Sequence, residues 1–196
     1  MQKFWQHVVG AAVLVAAFSM PAQAAFQLQS WIGIDGPPES RRCAQPTGGM
    51  SAWNGSVLEL VPCEPYDSSS LWEEEKVSDE TRRGTLYWTV RFRNVGRPEL
   101  CLDLRDGNTA NGTPLQLWEC DDKSTSMQWV VTTDSDDKRI WPRRSWDAHW
   151  KRCFILWPCA PGILTSMDVP FMSSVPLILN YEYWGTLSQA WRYVVR

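Results

Sequence analysis

The residues best equipped for chemistry in this chain fall in one stretch. It runs Cys101-Leu102-Asp103-Leu104, then Asn111-Gly112-Thr113-Pro114-Leu115-Gln116-Leu117-Trp118-Glu119-Cys120, then Ser126-Met127-Gln128-Trp129. A carboxylate accepts hydrogen bonds, an amide donates and accepts, and an indole offers a large flat apolar face. Gln116 and Trp118 are two apart, so on a strand they project from the same side. The usual marks of a catalyst do not accompany them. His149 is the only histidine after position 24, and no nucleophile motif such as GxSxG stands beside it. Carboxylates are plentiful, but none forms a recognisable pair for glycoside hydrolysis. No CxxC or Cys/His spacing suits zinc, and no cofactor is implied. The expected class is a binding protein, not an enzyme.

The elements that must position these groups read as strands. Alternating or continuous apolar runs occur at Val57-Leu58-Glu59-Leu60-Val61, Leu86 to Phe92, Leu115 to Trp118 and Trp129-Val130-Val131. Turn sequences separate them: Asn54-Gly55, Asp106-Gly107, Asn111-Gly112 and Pro161-Gly162. No stretch after residue 24 shows a convincing helical period. The pattern also repeats. Cys63 to Trp72 spans nine residues, as does Cys120 to Trp129, and Pro114 to Trp129 spans fifteen, as does Pro176 to Trp191. The marker tryptophans Trp72, Trp129 and Trp191 are 57 and 62 residues apart. A third unit is read at Arg152-Cys153-Phe154-Ile155, Val175 to Asn180 and Gln189-Ala190-Trp191. Three such units, about 25–76, 77–133 and 134–196, suit an all-β closed barrel with a hairpin cap and pseudo-threefold symmetry. Most of the 13 tryptophans, the markers included, are expected in the core. Trp141, Trp146, Trp150 and Trp157 crowd one insertion, as a contact surface or as extra core over a long loop.

The second unit resembles one repeat of a ricin-type lectin domain, a β-trefoil that binds sugars. Those repeats read C-L-D, then N-G-T, then Q-L-W-x-C, then Q-x-W. The resemblance implies that Asp103 accepts two sugar hydroxyls, Gln116 supports it, and Trp118 stacks on the ring. It also implies bonds between Cys101 and Cys120, nineteen apart, and between Cys43 and Cys63. Each would contribute roughly 3 kcal/mol through loop entropy. Cys153 and Cys159 remain and pair by elimination. Where the family has Asn-Gln before the last tryptophan, this chain has Ser126 and Met127. Ser126 keeps one hydrogen bond, and Met127 offers no amide. The first unit has Gln45, Glu59 and Val61 at the equivalent positions, and the third has Ile155, Ile178 and Asn180. At most one site of the family type is therefore expected, with Asp103 and Trp118 both partly exposed. The alternative is that Asp103 and Gln116 merely brace the turn.

The start of the chain reads as a secretory leader, residues 1–24. Lys3 precedes a mostly apolar run from Val8 to Met20, too short to span a bilayer, and Ala22-Gln23-Ala24 fits small-x-small cleavage. No later segment is a membrane-helix candidate. Removing the leader takes Lys3 and no acid, leaving 18 basic and 22 acidic residues, net −4. That balance does not suggest a nucleic-acid partner. Six cysteines, all after the leader, imply disulfides and an exported, extracellular or periplasmic, protein. The expected partners are glycans, galactose-type sugars first, with a toxin or enzyme chain beside the domain by analogy of fold. The other reading is a protein-binding scaffold or inhibitor whose sugar sites have decayed. Its contact loop would be Trp157 to Val175.

Overall fold

The computed structural model describes residues 24–31, 37–133, 138–155, 165–168, 176–181 and 189–195. Among the described residues, twelve strands fall into three sets of four. The first set is β1 (Phe26–Ser30), β2 (Arg42–Pro46), β3 (Leu58–Pro62) and β4 (Leu71–Arg82). The second is β5 (Thr85–Asn94), β6 (Leu100–Leu104), β7 (Leu115–Glu119) and β8 (Trp129–Thr132). The third is β9 (Ile140–Pro142), β10 (Thr165–Asp168), β11 (Ile178–Tyr181) and β12 (Trp191–Val195). The outer strands of each set form the barrel through β1–β4, β4–β5, β5–β8, β8–β9 and β12–β1 pairing. A Lys138–Trp191 bridge closes it. The inner pairs β2–β3, β6–β7 and β10–β11 are antiparallel hairpins.

Pseudo-threefold symmetry is visible in the backbone itself. Gly55 N–H donates to Leu117 O at 2.8 Å, and Gly112 N–H donates to Leu179 O at 2.7 Å. Leu58, Leu115 and Leu177 occupy one equivalent position, with Leu115 N–H on Leu177 O and Leu177 N–H on Leu58 O. All three are fully buried. So are Trp72, Trp129 and Trp191. The indole N–H of Trp72 donates to Ala44 O at 3.2 Å, and that of Trp129 to Leu102 O at 3.1 Å. Each marker tryptophan of the first two units thus ties a barrel strand to the first strand of its own hairpin. The Asn-Gly turns work because Gly55 and Gly112 adopt φ of 91° and 83°, where a side chain would be strained.

Two expectations need correction. A helix is present: α1, Arg143–Ile155. Its apolar residues Trp146, Trp150, Cys153 and Phe154 follow an i, i+4, i+7, i+8 spacing, and the first two indoles have ring centroids 5.7 Å apart. Assigning Arg152 to Ile155 to the first strand of a third repeat passes over that helical period. Arg143, bonded to Asp147 at 2.9 Å and to Thr89 Oγ1 at 2.9 Å, pins its first turn. Trp141 and Trp146 are buried with Val130 and pack with Tyr87 and Trp150, so these tryptophans form a satellite core beneath the helix. Trp157 lies outside the described residues.

The second correction concerns the third unit. Residues 152–155 end α1 and do not begin a hairpin. That strand is β10, in which Asp168 stands opposite Ile178 as Asp103 stands opposite Gln116. The equivalent of Asp103 is therefore Asp168, not Ile155. The insertion falls between β9 and β10. The Cys153–Cys159 pair, the Pro161-Gly162 turn and most of Trp157 to Val175 lie outside the described residues.

Candidate functional site

The hairpin β6–β7 alternates in burial as its pleat requires. Leu102, Leu104, Leu115 and Leu117 fill the core. Asp103, Gln116 and Trp118 take the opposite face and line a cleft of about 850 Å³, with Ser126, Met127 and the 121–124 loop as its wall. Cys101 is bonded to Cys120, Cα to Cα 5.1 Å, which ties the end of β7 to β6. Cys43 and Cys63 are bonded in the same way across β2–β3.

Asp103 is the hub of the cleft. Its Oδ2 accepts from Gln116 Nε2 at 2.9 Å, and its Oδ1 accepts from Ser126 Oγ at 2.6 Å. Ser126 in turn shares a 2.7 Å bond with Ser124. Arg105 Nε donates to Gln116 Oε1 at 3.2 Å. Because arginine can only donate, this bond fixes the amide with its NH₂ toward Asp103. Each carboxylate oxygen keeps a further lone pair for an incoming hydroxyl. Asp103 is 5% exposed and Trp118 is 44% exposed. The expectation that both are partly exposed holds for the indole alone. Asp103 is covered by the two donors that hold it, one from β7 and one from the loop before β8.

Met127 is not idle either. Its side chain is buried, and its sulfur takes the Asp121 N–H at 3.3 Å, a weak acceptor in the place of an amide oxygen. Asp121 and Asp122 line the cleft, but both are already engaged. Asp121 Oδ1 accepts from Lys123 N–H at 2.9 Å. Asp122 binds the buried Arg91 at 2.8 Å, and Glu75 shares that guanidinium at 3.1 Å.

Several contributors escape a reading of the linear chain. Arg91 of β5 anchors the loop wall. Arg144 of α1 also lines the cleft, donating to Thr125 Oγ1 at 2.8 Å and to Gly107 O at 3.1 Å. Trp53 is 65% exposed on a turn closed by Ser56, whose Oγ accepts Trp53 N–H at 3.0 Å. A Cβ on Gly55, two residues on, would lie 3.8 Å from the Trp118 ring. In the first unit Gln45 pairs with Glu59, and Val61 stands where Trp118 does, so no acceptor–aromatic pair forms. In the third, Asp168 supplies the acceptor's position, and Asn180 takes that of the indole. Among the described residues no group of three His, Cys, Asp or Glu could hold a metal ion.

Fold and cleft together define a β-trefoil with a carboxylate and an exposed indole in one cleft of its second repeat. Residues 30–162 match the family model of the ricin-type β-trefoil lectin domain. The chain belongs to that family, a family of carbohydrate-binding domains. It is 51% identical over 97 residues to nigrin b of Sambucus nigra, a match covering 49% of this chain and 14% of nigrin b. The chain thus matches a small part of that relative. Among solved structures it resembles the designed three-fold symmetric protein ThreeFoil, with a TM-score of 0.61 and 13% identity over 88% of this chain and 99% of the other. It also resembles 1,3Gal43A, an exo-β-1,3-galactanase from Clostridium thermocellum, with a TM-score of 0.62 and 15% identity. That match covers 91% of this chain and 31% of the enzyme. At these identities the two structures share the fold. No helix among the described residues is long and apolar enough to cross a membrane.

Proposed function

We propose that the chain is an exported lectin that holds a hexose, of galactose type, in the second-repeat cleft. Asp103 accepts two ring hydroxyls, Gln116 and Ser126 hold the carboxylate in place, and Trp118 stacks on the C–H face of the sugar. The observation that carries this reading is one juxtaposition. A buried carboxylate, oriented by two donors and with lone pairs to spare, lies in one cleft with an exposed indole. A flat ring with hydroxyls on one edge and C–H groups on a face meets both. Export through a leader ending at Ala24 is supported by the two disulfides. A single site without avidity binds weakly, which fits a cell-surface-binding subunit or a targeting module that acts beside another chain.

Titration calorimetry against simple galactosides and glucosides tests this. Binding is expected for the natural chain and none for Asp103→Ala. If neither the natural chain nor the Ser126→Asn, Met127→Gln variant binds a sugar, the reading fails. The scaffold reading then takes its place. It is favoured by the absence of an acceptor–aromatic pair in the first repeat, and it expects an empty glycan array with a co-purifying protein.

A further inference from the structure

Glu74 has no role in the cleft, and it is 4% exposed. It shares the inward face of β4 with Trp72, two residues before it. Its Oε2 is buried and has no hydrogen-bond partner. It lines a separate cavity of about 310 Å³ with Phe26, Trp88, Lys138, Tyr193 and Ala24. This is the mouth of the barrel, where β8 and β12 end and β1 begins. The wall is aromatic: Phe26 stacks on Tyr193 with centroids 4.3 Å apart. The Tyr193 hydroxyl is buried and faces the same carboxyl, close enough to act on it, but it leaves Oε2 without a well-formed hydrogen bond. Two cations stand nearby. Lys138 lies over the Tyr193 ring at 5.9 Å. Lys76 lies over Trp88 at 5.1 Å and is paired with Asp79 at 2.7 Å. Neither closes an ion pair with Glu74. Burial holds its carboxyl above the usual range, against the pull of Tyr193 and Lys138. A buried carboxyl oxygen without a partner is costly and calls for one.

The register supplies a candidate. Phe26 stands opposite Trp72 in an antiparallel pair, so continuing the ladder by two residues sets Ala24 opposite Glu74. Ala24 lines the cavity, and Ala22-Gln23-Ala24 is the small-x-small sequence at the end of the leader. Resting on the export reading above, we propose that the α-amino group of Ala25, created by leader removal, is the missing partner of Glu74 Oε2. Water cleaves the Ala24–Ala25 peptide bond. The new carboxylate leaves on Ala24, and the new amine stays on Ala25. The proton shed by the new carboxyl makes the amine an ammonium, any proton held on Glu74 passes to water, and the result is an ammonium–carboxylate pair at the barrel mouth. Removal of Ala24 also vacates the wall position that faced Glu74. Processing thus converts an incompletely satisfied buried acid into a latch on the first strand of the barrel.

The test expresses the full chain in a secreting host, as it stands and with Gly-Ser inserted between Ala24 and Ala25. Both are made with Glu74 and with Glu74→Gln. Intact mass reads the processed terminus. The export reading fails if no leader is removed, and the latch fails if a removed leader leaves a terminus other than Ala25. With Ala25 first, Glu74→Gln should lower the Tm. In the Gly-Ser product, whose ammonium is displaced, the same substitution should leave the Tm unchanged or raise it. Equal shifts in the two products overturn the proposal. Titration of the α-amine by ¹³C-methylation NMR gives a second readout that needs no substitution. Its pKa should stand about one unit or more above the usual 7.7–8.0 when Ala25 is first, and return to that range in the Gly-Ser product. The same value in both products overturns the latch.

Discussion

The hairpins β2–β3 and β6–β7 share a frame and differ in what they present. Both are five-residue antiparallel pairs, both carry a disulfide with Cα atoms 5.1 Å apart, and both receive an indole N–H from a buried tryptophan. Yet one face offers Gln45, Glu59 and Val61, and the other Asp103, Gln116 and Trp118. The parts that fold the repeat point inward and are duplicated. The parts proposed to touch a ligand point outward and are not. Because the two sets alternate along the same strands, the outward set can change while the inward set keeps the barrel.

The largest effects should strike the duplicated frame equally. Trp72→Ala and Trp129→Ala each empty a fully buried indole site and remove a buried hydrogen bond. Each should cost roughly 3–5 kcal/mol, read from urea unfolding. A large loss at one tryptophan and little at the other would show that the repeats are not equivalent in the core.

Next comes the acceptor. Asp103→Ala should reduce galactoside affinity below detection, while Gln45→Ala, its counterpart in the first repeat, should leave affinity unchanged. Asp103 is buried, so the alanine variant also leaves the Gln116 NH₂ and the Ser126 hydroxyl without their acceptor. A stability loss of about 1–3 kcal/mol should accompany it. Asp103→Asn, which preserves the volume, separates the two effects: binding should fall with a smaller loss of stability. Retained binding in that variant would remove the carboxylate from the mechanism.

Trp118→Ala should weaken binding by about 1–3 kcal/mol through lost stacking and apolar contact. Since the indole is half exposed, the urea midpoint should barely move. The contrast with Trp129, eleven residues away, is the sharpest form of the comparison. One indole serves the ligand and the other the fold, and an equal stability loss in both would erase the distinction.

How much of this was legible in the chain follows the same division. Trp72, Trp129, Trp191 and the alternating leucines announced the barrel because inward positions recur with the pleat and the repeat. Asp103, Gln116 and Trp118 were legible as a set from one motif. The burial of Asp103 was not, because its covering donors arrive from β7 and from the loop before β8. Arg91 and Arg144 were invisible for the same reason: they reach the cleft from β5 and α1. The third unit misled because Cys153-Phe154-Ile155 imitates a hairpin strand, whereas Thr165-Ser166-Met167-Asp168 has one apolar residue and no cysteine. The helix escaped for the same reason: Cys153 and Phe154, which complete its i, i+4, i+7, i+8 spacing from Trp146 and Trp150, also make up that imitated strand.

The smallest expected effect lies at the loop where the family motif departs. Ser126 spends its one hydroxyl proton on Asp103, at 2.6 Å, so little is left to donate to a sugar. Asparagine carries two N–H donors on a longer arm. One can keep the bond to Asp103 while the other meets a hydroxyl. Ser126→Asn should therefore strengthen galactoside binding by about 0.5–1.5 kcal/mol, the net worth of one hydrogen bond, up to roughly tenfold in Kd. Met127 can stay, since its sulfur already occupies the Asp121 N–H and its side chain is buried. Calorimetry with one galactoside reads the gain, and the Asp103→Ala background supplies the control. There the substituted amide has no carboxylate to hold it, and the gain should vanish. A gain that persists without Asp103 would mean that the asparagine binds sugar on its own, and that the acceptor does not organise the cleft.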